Sequence, residues 1–338
     1  MGVIRWLQLS DLHFGLEDYT TEAAFYSFYQ YLDSIIHEKE SKNEKPEYLF
    51  ITGDMLYAPK AQKEAHKLEL IQQSRTAIRN IQTLSGIQPE NTFVVPGNHD
   101  VNRDGVYDNR GDRLTMLYEA YRPNDGTIDD GTIQKLLGDF DSFQSLTDPN
   151  IDGPIVNISS LPTRIHSYVD MKEFGLVLMN TAFSYGKDYT TKLIFGVKYF
   201  QSILRSIPRC KPIIILAHHP LDDALEHDKL ENELVTHQNI KLYLCGHEHR
   251  FLIHTLPNNK VKLFNNPTFM DEDKATKEPC QIGFTFGEMD SLTGHGYIEA
   301  HLYDAAFDFW DKYRQFGGNQ NSSAADRLDG IYRFGEIN

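Results

Sequence analysis

"FVVPGNHD", residues 93–100, carries an apolar run straight into Pro, Gly, Asn, His and Asp. A plain turn would also use the Pro-Gly pair. What separates a turn from a site is whether other apolar runs end in the same way, and four do: "VIRWLQLSDLH" (3–13), "YLFITGD" (48–54), "PIIILAHHP" (212–220) and "IKLYLCGHEH" (240–249). Each reads as a short strand with polar residues at its C-terminal end. Mixed-charge segments with spaced apolar residues, Thr21 to Glu40, Lys60 to Leu84, Val197 to Ile207 and Asp222 to His237, read as helices between them. This alternation predicts an α/β sheet core.

Open α/β sheets build sites at strand ends, where loops from several strands converge on a rigid frame. Every one of these ends carries a metal-ligand residue type. Asp11 and His13 alternate in what reads as an extended segment, so both would face one way while Leu12 enters the core, and His247 and His249 flank Glu248 likewise. Asp11, His13, Asp54, Asn98, His218, His247 and His249 combine carboxylate, imidazole and amide, a set suited to Mn, Fe or Zn. They are too many for one tetrahedral ion. Two ions sharing the Asp54 carboxylate would use them all. His99 adjoins Asn98 without being needed as a ligand, and its imidazole can protonate a leaving alkoxide, with Asp100 expected to orient or charge-stabilise that ring. Arg103, Arg250 and Tyr57, close to motif ends, are expected to clamp phosphate or stack a base. A lone His or Gly-Asp is more often a turn residue; the ordered set has no such shared explanation.

In order, "DLH", "GD", "GNHD", "HHP" and "GHEH" resemble the signature of the calcineurin-like metallophosphoesterase superfamily, over roughly residues 4–265. The resemblance implies a four-layer α/β/β/α sandwich of two mixed β-sheets flanked by helices. It implies two divalent ions, with Mn favoured. Asp11, His13 and His249 would hold one, Asn98, His218 and His247 the other, and Asp54 both. The family pattern His-x-Pro selects His218 over His219, and in a strand the two rings would project to opposite faces. Protein Ser/Thr phosphatases of the superfamily continue "GD" into Asp-Arg-Gly and place Glu after "GNH", whereas this chain has "GDMLYAPK" and Asp100. Purple acid phosphatases share "GDxxY", met here by Tyr57, but have Gly where this chain has His13. The pairing of "DxH" with "GNHD" resembles cyclic-nucleotide phosphodiesterases and DNA-repair nucleases. It implies a phosphodiesterase acting on a nucleotide or nucleic acid by hydroxide attack at a dinuclear centre. A phosphomonoesterase and a catalytically inactive scaffold of the same fold are the alternatives.

The rest of the composition sets bounds. A chain of 338 residues with 40% hydrophobic content can bury a large core, and no run of eighteen apolar residues offers a membrane span. The opening Met1-Gly2-Val3-Ile4-Arg5-Trp6 has neither signal-peptide nor myristoylation character, so a cytoplasmic location is expected. Cys210, Cys245 and Cys280 lack CxxC spacing and cannot all pair, which suits reduced thiols. A net charge of −15 argues against a broad grip on a polynucleotide, although bound cations could reverse the sign within one pocket. Residues 1–305 read as the catalytic domain, with an acidic insertion at about 101–154 carrying helices near Arg113–Tyr121 and Ile133–Leu146. Two hairpins are expected, one at 165–180 and one with Asn258-Asn259 at its tip. The Gly, Asn and Ser-rich residues 306–338 read as a tail or linker leading to a protein partner or further domain.

Overall fold

The central strands are apolar without interruption because each is shared between two cores. In β1 (Val3–Leu9), Ile4 and Trp6 enter one apolar cluster while Leu7 and Leu9 enter another. The same alternation divides Phe50 from Leu49 and Ile51 in β2 (Tyr48–Ile51), and Phe93 from Val94 at β3 (Thr92–Val94). A strand covered on both faces reads as a continuous apolar run, since successive side chains point to opposite faces.

The computed structural model describes residues 2–16, 19–57, 64–102, 109–121, 126–186, 192–208, 211–256, 261–273, 276–313 and 330–335. Parallel strands β1, β2 and β3 lie in one sheet with antiparallel β10 (Gly283–Asp290), β11 (Gly296–Asp304), β12 (Phe309–Lys312) and β13 (Ile331–Phe334). The second sheet has the order β4 (His166–Asp170), β5 (Gly175–Met179), β6 (Ile213–Leu216), β7 (Ile240–Cys245), β9 (Lys262–Asn265), β8 (Leu252–Thr255). Here β5, β6, β7 and β9 run parallel, and β4 and β8 close the edges as antiparallel hairpin partners. Helices α1 (Tyr19–Ser41) and α2 (Glu64–Ser85) cover the outer face of the first sheet. Helices α6 (Val197–Ser206) and α7 (His227–Thr236) cover the second. Between the sheets Trp6, Phe50 and Phe93 meet Leu176, Ile214, Leu216, Leu242 and Leu244. The α/β/β/α sandwich of two mixed sheets is therefore borne out.

Residues 101–154 contribute α3 (Arg110–Ala120), α4 (Asp130–Gly138) and α5 (Asp141–Thr147). The single helix expected near Ile133–Leu146 is broken at Gly138-Asp139-Phe140, because the fully buried Asp139 accepts from Arg110 and Arg113 and Phe140 turns into the core. Of these, α5 packs on α2, where the buried Arg75 donates to the carbonyls of Leu146, Asp148 and Gly153. The free edge of β3 is covered just beyond, by Asn157 donating to Thr92 O and Ser160 Oγ accepting from Val94 N.

The reading of 306–338 as tail or linker is corrected for its described residues, while 314–329 and 336–338 lie outside them. β12 and β13 both pair antiparallel with β11, and Trp310 packs against Phe28 and Tyr31 of α1. Aromatic residues in that stretch were sheet-forming; the Gly, Asn and Ser around them obscured the pattern. The Asn258-Asn259 tip lies outside the described residues.

One buried histidine gives the fold a pH dependence remote from the strand ends. His166 on β4 is buried, its Nε2 lies 2.8 Å from Phe195 O, and burial pushes it down to about 4. In the unfolded chain it takes a proton near pH 6.5 (about the free value), so its contribution to stability is full above that pH and is lost as pH falls toward about 4. The loss is roughly 3 kcal/mol at the acid limit. The thermal midpoint of metal-free His166→Gln should therefore fall less steeply between pH 7 and 4.5 than that of the unsubstituted chain. Parallel slopes would count against this account.

Candidate metal centre

Parallel order places the C-terminal ends of β1, β2 and β3 beside one another, and those of β6 and β7 opposite. The loops beyond them are stitched together: Asp11 N donates to Gly53 O at 3.0 Å, His13 N to Asp54 O at 3.0 Å, and Gly246 N to His218 O at 3.0 Å. Two close approaches explain why glycine precedes the functional residues. A Cβ at Gly97 would collide with Asp54 Oδ1, and one at Gly246 with Ser10 Oγ and Asp11 Oδ2.

The expectation that Asp11 and His13 alternate along extended chain is overturned, as is its counterpart for His247 and His249. β1 ends at Leu9, and the left-handed backbone appears at Asp11 (φ 53°), His13 (φ 49°), Asp54 (φ 51°), His247 (φ 74°) and His249 (φ 54°). Each such residue costs about 1–2 kcal/mol, a strain that tends to concentrate at functional sites. The side chains still converge. What turns them inward is loop conformation rather than strand pleat.

Asp11, His13 and His249 bring ligand atoms within 4.8 Å of one another, as do Asp11, Asp54 and His218, and His13, Asp54 and His99. His249 Nε2 stands 3.4 Å from Asp11 Oδ1, and His13 Nε2 3.8 Å from the same oxygen. On the other side His218 Nε2 is 2.9 Å from Asn98 Oδ1 and 3.4 Å from Asp54 Oδ2. Since His218 Nδ1 faces the carbonyl of Thr52 at 2.8 Å, its proton belongs there. A neutral His218 then turns a lone pair toward two further acceptors. A proton on Nε2, or a cation between it and the Asp54 carboxylate, resolves that arrangement.

Electrostatics follow the same logic. Burial alone would lower His218, but the Asp54 carboxylate pushes it up to about 9. Burial likewise opposes protonation of His249, and the Asp11 carboxylate 3.4 Å away carries it up to about 11. Burial would raise the Asp11 carboxyl, yet His249 and His218 hold it down to about 2, and Asp54 is held well below the usual range, chiefly by His218. His13 and His247 are pushed down by burial, to about 4 and about 3. Among the described residues, the buried Asp11 Oδ1, both ring nitrogens of His13 and Asp54 Oδ2 have no hydrogen-bond partner. Buried orphan polar atoms of this kind are uncommon in folded proteins. Their donor set of carboxylate, imidazole and amide fits divalent cations.

Asp54 sits between the two sides. Its Oδ1 accepts from His99 N at 2.7 Å, which leaves Oδ2 turned to His218. The His99 ring is half-buried, edge-on to His13 (centroids 5.0 Å apart) and stacked on Tyr57 (4.9 Å, 19°). Asp100 has a different place from the one expected. Its Oδ2 accepts from Gly97 N at 2.9 Å and Met55 N at 3.3 Å, and its Oδ1 from Leu56 N at 3.0 Å. It thus clamps two site loops by their amides rather than orienting the His99 ring. Burial, then the nearby Asp54, pushes its carboxyl up to about 7. Arg250 is exposed and paired with Glu248 at 3.6 Å, and Arg103 lies outside the described residues.

His218 and His219 do not project to opposite faces. β6 ends at Leu216, and in the loop beyond it the two rings are 4.7 Å apart, lying 5.2 and 4.5 Å from the His247 ring. His219 therefore joins His218 and His247 in a further group within 4.8 Å. Sequence reasoning also missed two carboxylates behind the imidazoles: Asp223, 3.7 Å from His247 Nε2, and Asp273, 3.5 Å from His249 Nδ1. Neither belongs to a motif, and loop folding alone brings them there.

Residues 4–251 match the calcineurin-like phosphoesterase family. The chain belongs to that family. Among relatives of this calcineurin-like phosphoesterase is the uncharacterized metallophosphoesterase-like protein YydB of Bacillus subtilis, 22% identical over 93% of this chain. The alignment spans 62% of that relative's length. Among solved structures, a dimetal phosphatase from Danio rerio is similar over 88% of this chain and 95% of its own, at 10% identity and a TM-score of 0.44. GAP50, the anchor in the inner membrane complex of Plasmodium, is similar over 92% and 88%, at 13% identity and a TM-score of 0.43.

Proposed function

We propose that this phosphoesterase is a dinuclear metal-dependent phosphodiesterase that hydrolyses a nucleotide or nucleic-acid phosphodiester. The observation that carries the reading is the pair of acceptor clusters sharing the Asp54 carboxylate. Asp11, His13 and His249 would hold one divalent ion, Asn98, His218 and His247 the second, and Asp54 both. The metals, with Mn favoured, would supply Lewis acidity and a water activated near neutral pH.

The chain's own residues do the rest. Asp54 is held by His99 N so that one oxygen is committed to the protein and the other to the centre. His99, backed by the stacked Tyr57 ring, is placed to give a proton to the leaving alkoxide. Tyr57 thus acts through His99, by fixing its ring. A diester is supported by charge. Among the described residues the clustered groups are built from Asp and His, and Arg250 is engaged by Glu248, so little positive charge beyond the metals would favour a dianionic monoester. The motif resemblance to nucleotide and nucleic-acid enzymes supplies the substrate class. No helix among the described residues is long and apolar enough to cross a membrane.

The test is hydrolysis by Mn-reconstituted protein of cyclic nucleotides, dinucleotides, single-stranded DNA and simple monoesters, with and without chelator. Diesters should be cleaved best, and chelator should abolish cleavage. A preference for monoesters overturns the substrate class, and a metal-loaded chain inert to every ester favours a scaffold.

Asp273 bears on the first ion independently of turnover. With Nδ1 of His249 facing Asp273, Nε2 is left for a metal, and a carboxylate in that position typically contributes about 10–100-fold in metal affinity. Asp273→Asn should weaken Mn binding by about that factor, measured by titration of the metal-free protein. Unchanged affinity would remove Asp273 from the site.

A further inference from the structure

His219 is 1% exposed, and its Nε2 is buried with no hydrogen-bond partner among the described residues. By residue type, its grouping with His218 and His247 reads as three imidazoles for one metal. The other nitrogen argues differently. Nδ1 lies 2.9 Å from Thr181 Oγ1, and that hydroxyl already accepts the backbone N–H of His219 at 3.1 Å. Thr181 is fully buried just beyond β5, so its own hydroxyl proton needs an acceptor, and among the described residues His219 Nδ1, at 2.9 Å, is the one within reach. A neutral imidazole that accepts at Nδ1 carries its proton at Nε2. A nitrogen bearing a proton offers no lone pair to a metal.

We propose that His219 is a substrate-binding residue whose Nε2–H, set in place by Thr181, donates a hydrogen bond to a phosphoryl oxygen of the bound phosphoester. The inference rests on the phosphoesterase reading and deepens it. The ring stands 4.5 Å from that of His247 and 4.7 Å from that of His218, at the edge of the second cluster, where a phosphoryl oxygen held by the centre would come to lie. Tyr243 Oη donates to His219 O at 2.8 Å, so both the ring and the backbone of this residue are fixed. The donor is pre-set before substrate arrives, and a phosphate oxygen completes a hydrogen bond that the folded chain leaves open.

Metal and phosphate binding separate the two roles. The full chain and His219→Ala are titrated with Mn, and the Mn-loaded proteins are then titrated with inorganic phosphate. His219→Ala should bind two equivalents of Mn with affinity close to that of the unsubstituted chain, and phosphate about tenfold more weakly or worse. Loss of one Mn equivalent would make His219 a ligand and overturn the proposal, as would unchanged phosphate affinity. Should His219→Ala fail to fold, the unsubstituted chain loaded with Zn decides the matter through long-range proton–nitrogen correlation of its histidine rings. His219 protonated at Nε2 supports the proposal, and protonation at Nδ1 overturns it. Thr181→Val should weaken phosphate binding in the same direction while leaving Mn stoichiometry at two. An unsubstituted chain that takes up neither Mn nor phosphate overturns the phosphoesterase reading together with this one, whereas one that takes up both and is matched by His219→Ala overturns this inference alone.

Discussion

Asp54→Asn should cost at least about a thousandfold in kcat/KM, several kcal/mol of transition-state stabilisation, and should leave less than one metal per chain after dialysis. The substitution keeps the volume and the oxygen that accepts from His99 N, so the loop retains its anchor. What it removes is the negative charge that two clusters share. Asp54 groups with Asp11 and His218 on one side and with His13 and His99 on the other, so neither ion can be held at full strength without it. In the metal-free protein the same carboxylate raises His218, so Asp54→Asn should also let that ring titrate well below about 9, readable from its proton resonances. A variant that retains two metals would remove Asp54 as the shared ligand.

His99→Ala should show the complementary pattern. Metal content should stay near two, because the backbone amide of residue 99, not its ring, is what holds Asp54. Turnover on an alkyl phosphodiester should fall by about 10²–10⁴, the usual contribution of a positioned acid. The loss should shrink sharply on a p-nitrophenyl ester, whose leaving group departs without a proton. Equal losses on both esters would mean that His99 acts on the phosphoryl group or the centre itself instead. Tyr57→Leu should reproduce a small part of the His99 effect, since the stacked ring only fixes the imidazole.

Much of this molecule can be read in its letters. The strands are legible because shared burial makes them uninterrupted apolar runs, and the order "DLH", "GD", "GNHD", "HHP", "GHEH" marks where they end. Helices α1, α2 and α6 show through their periodicity. The failures have physical causes. Asp11 and His13 mimic a pleated pair because both a strand and a left-handed loop can bring alternate residues to one side. Asp100 stands next to His99, and adjacency suggested a partnership, yet its oxygens serve amides of the loops beyond β2 and β3, which no local pattern encodes. His219 was set aside by a strand rule that stops applying once β6 has ended. Asp223, Asp273 and Thr181 approach the centre only through tertiary folding. At the C-terminal end, β12 and β13 are short strands whose partner, β11, supplies most of their order.

The left-handed residues at the strand ends carry a consequence for anyone who tries to make this protein hardier. A routine stabilising strategy would replace a non-glycine at positive φ with glycine, and Asp11, His13, Asp54, His247 and His249 would head the candidates. Replacing His13, His247 or His249 would relax the backbone while deleting a side chain assigned to the proposed centre, whereas replacing Asp11 or Asp54 would also release the amides of His247 and His99 that they accept. Selection for robustness alone would therefore erode this protein first at the strand-end loops where its proposed ligands sit.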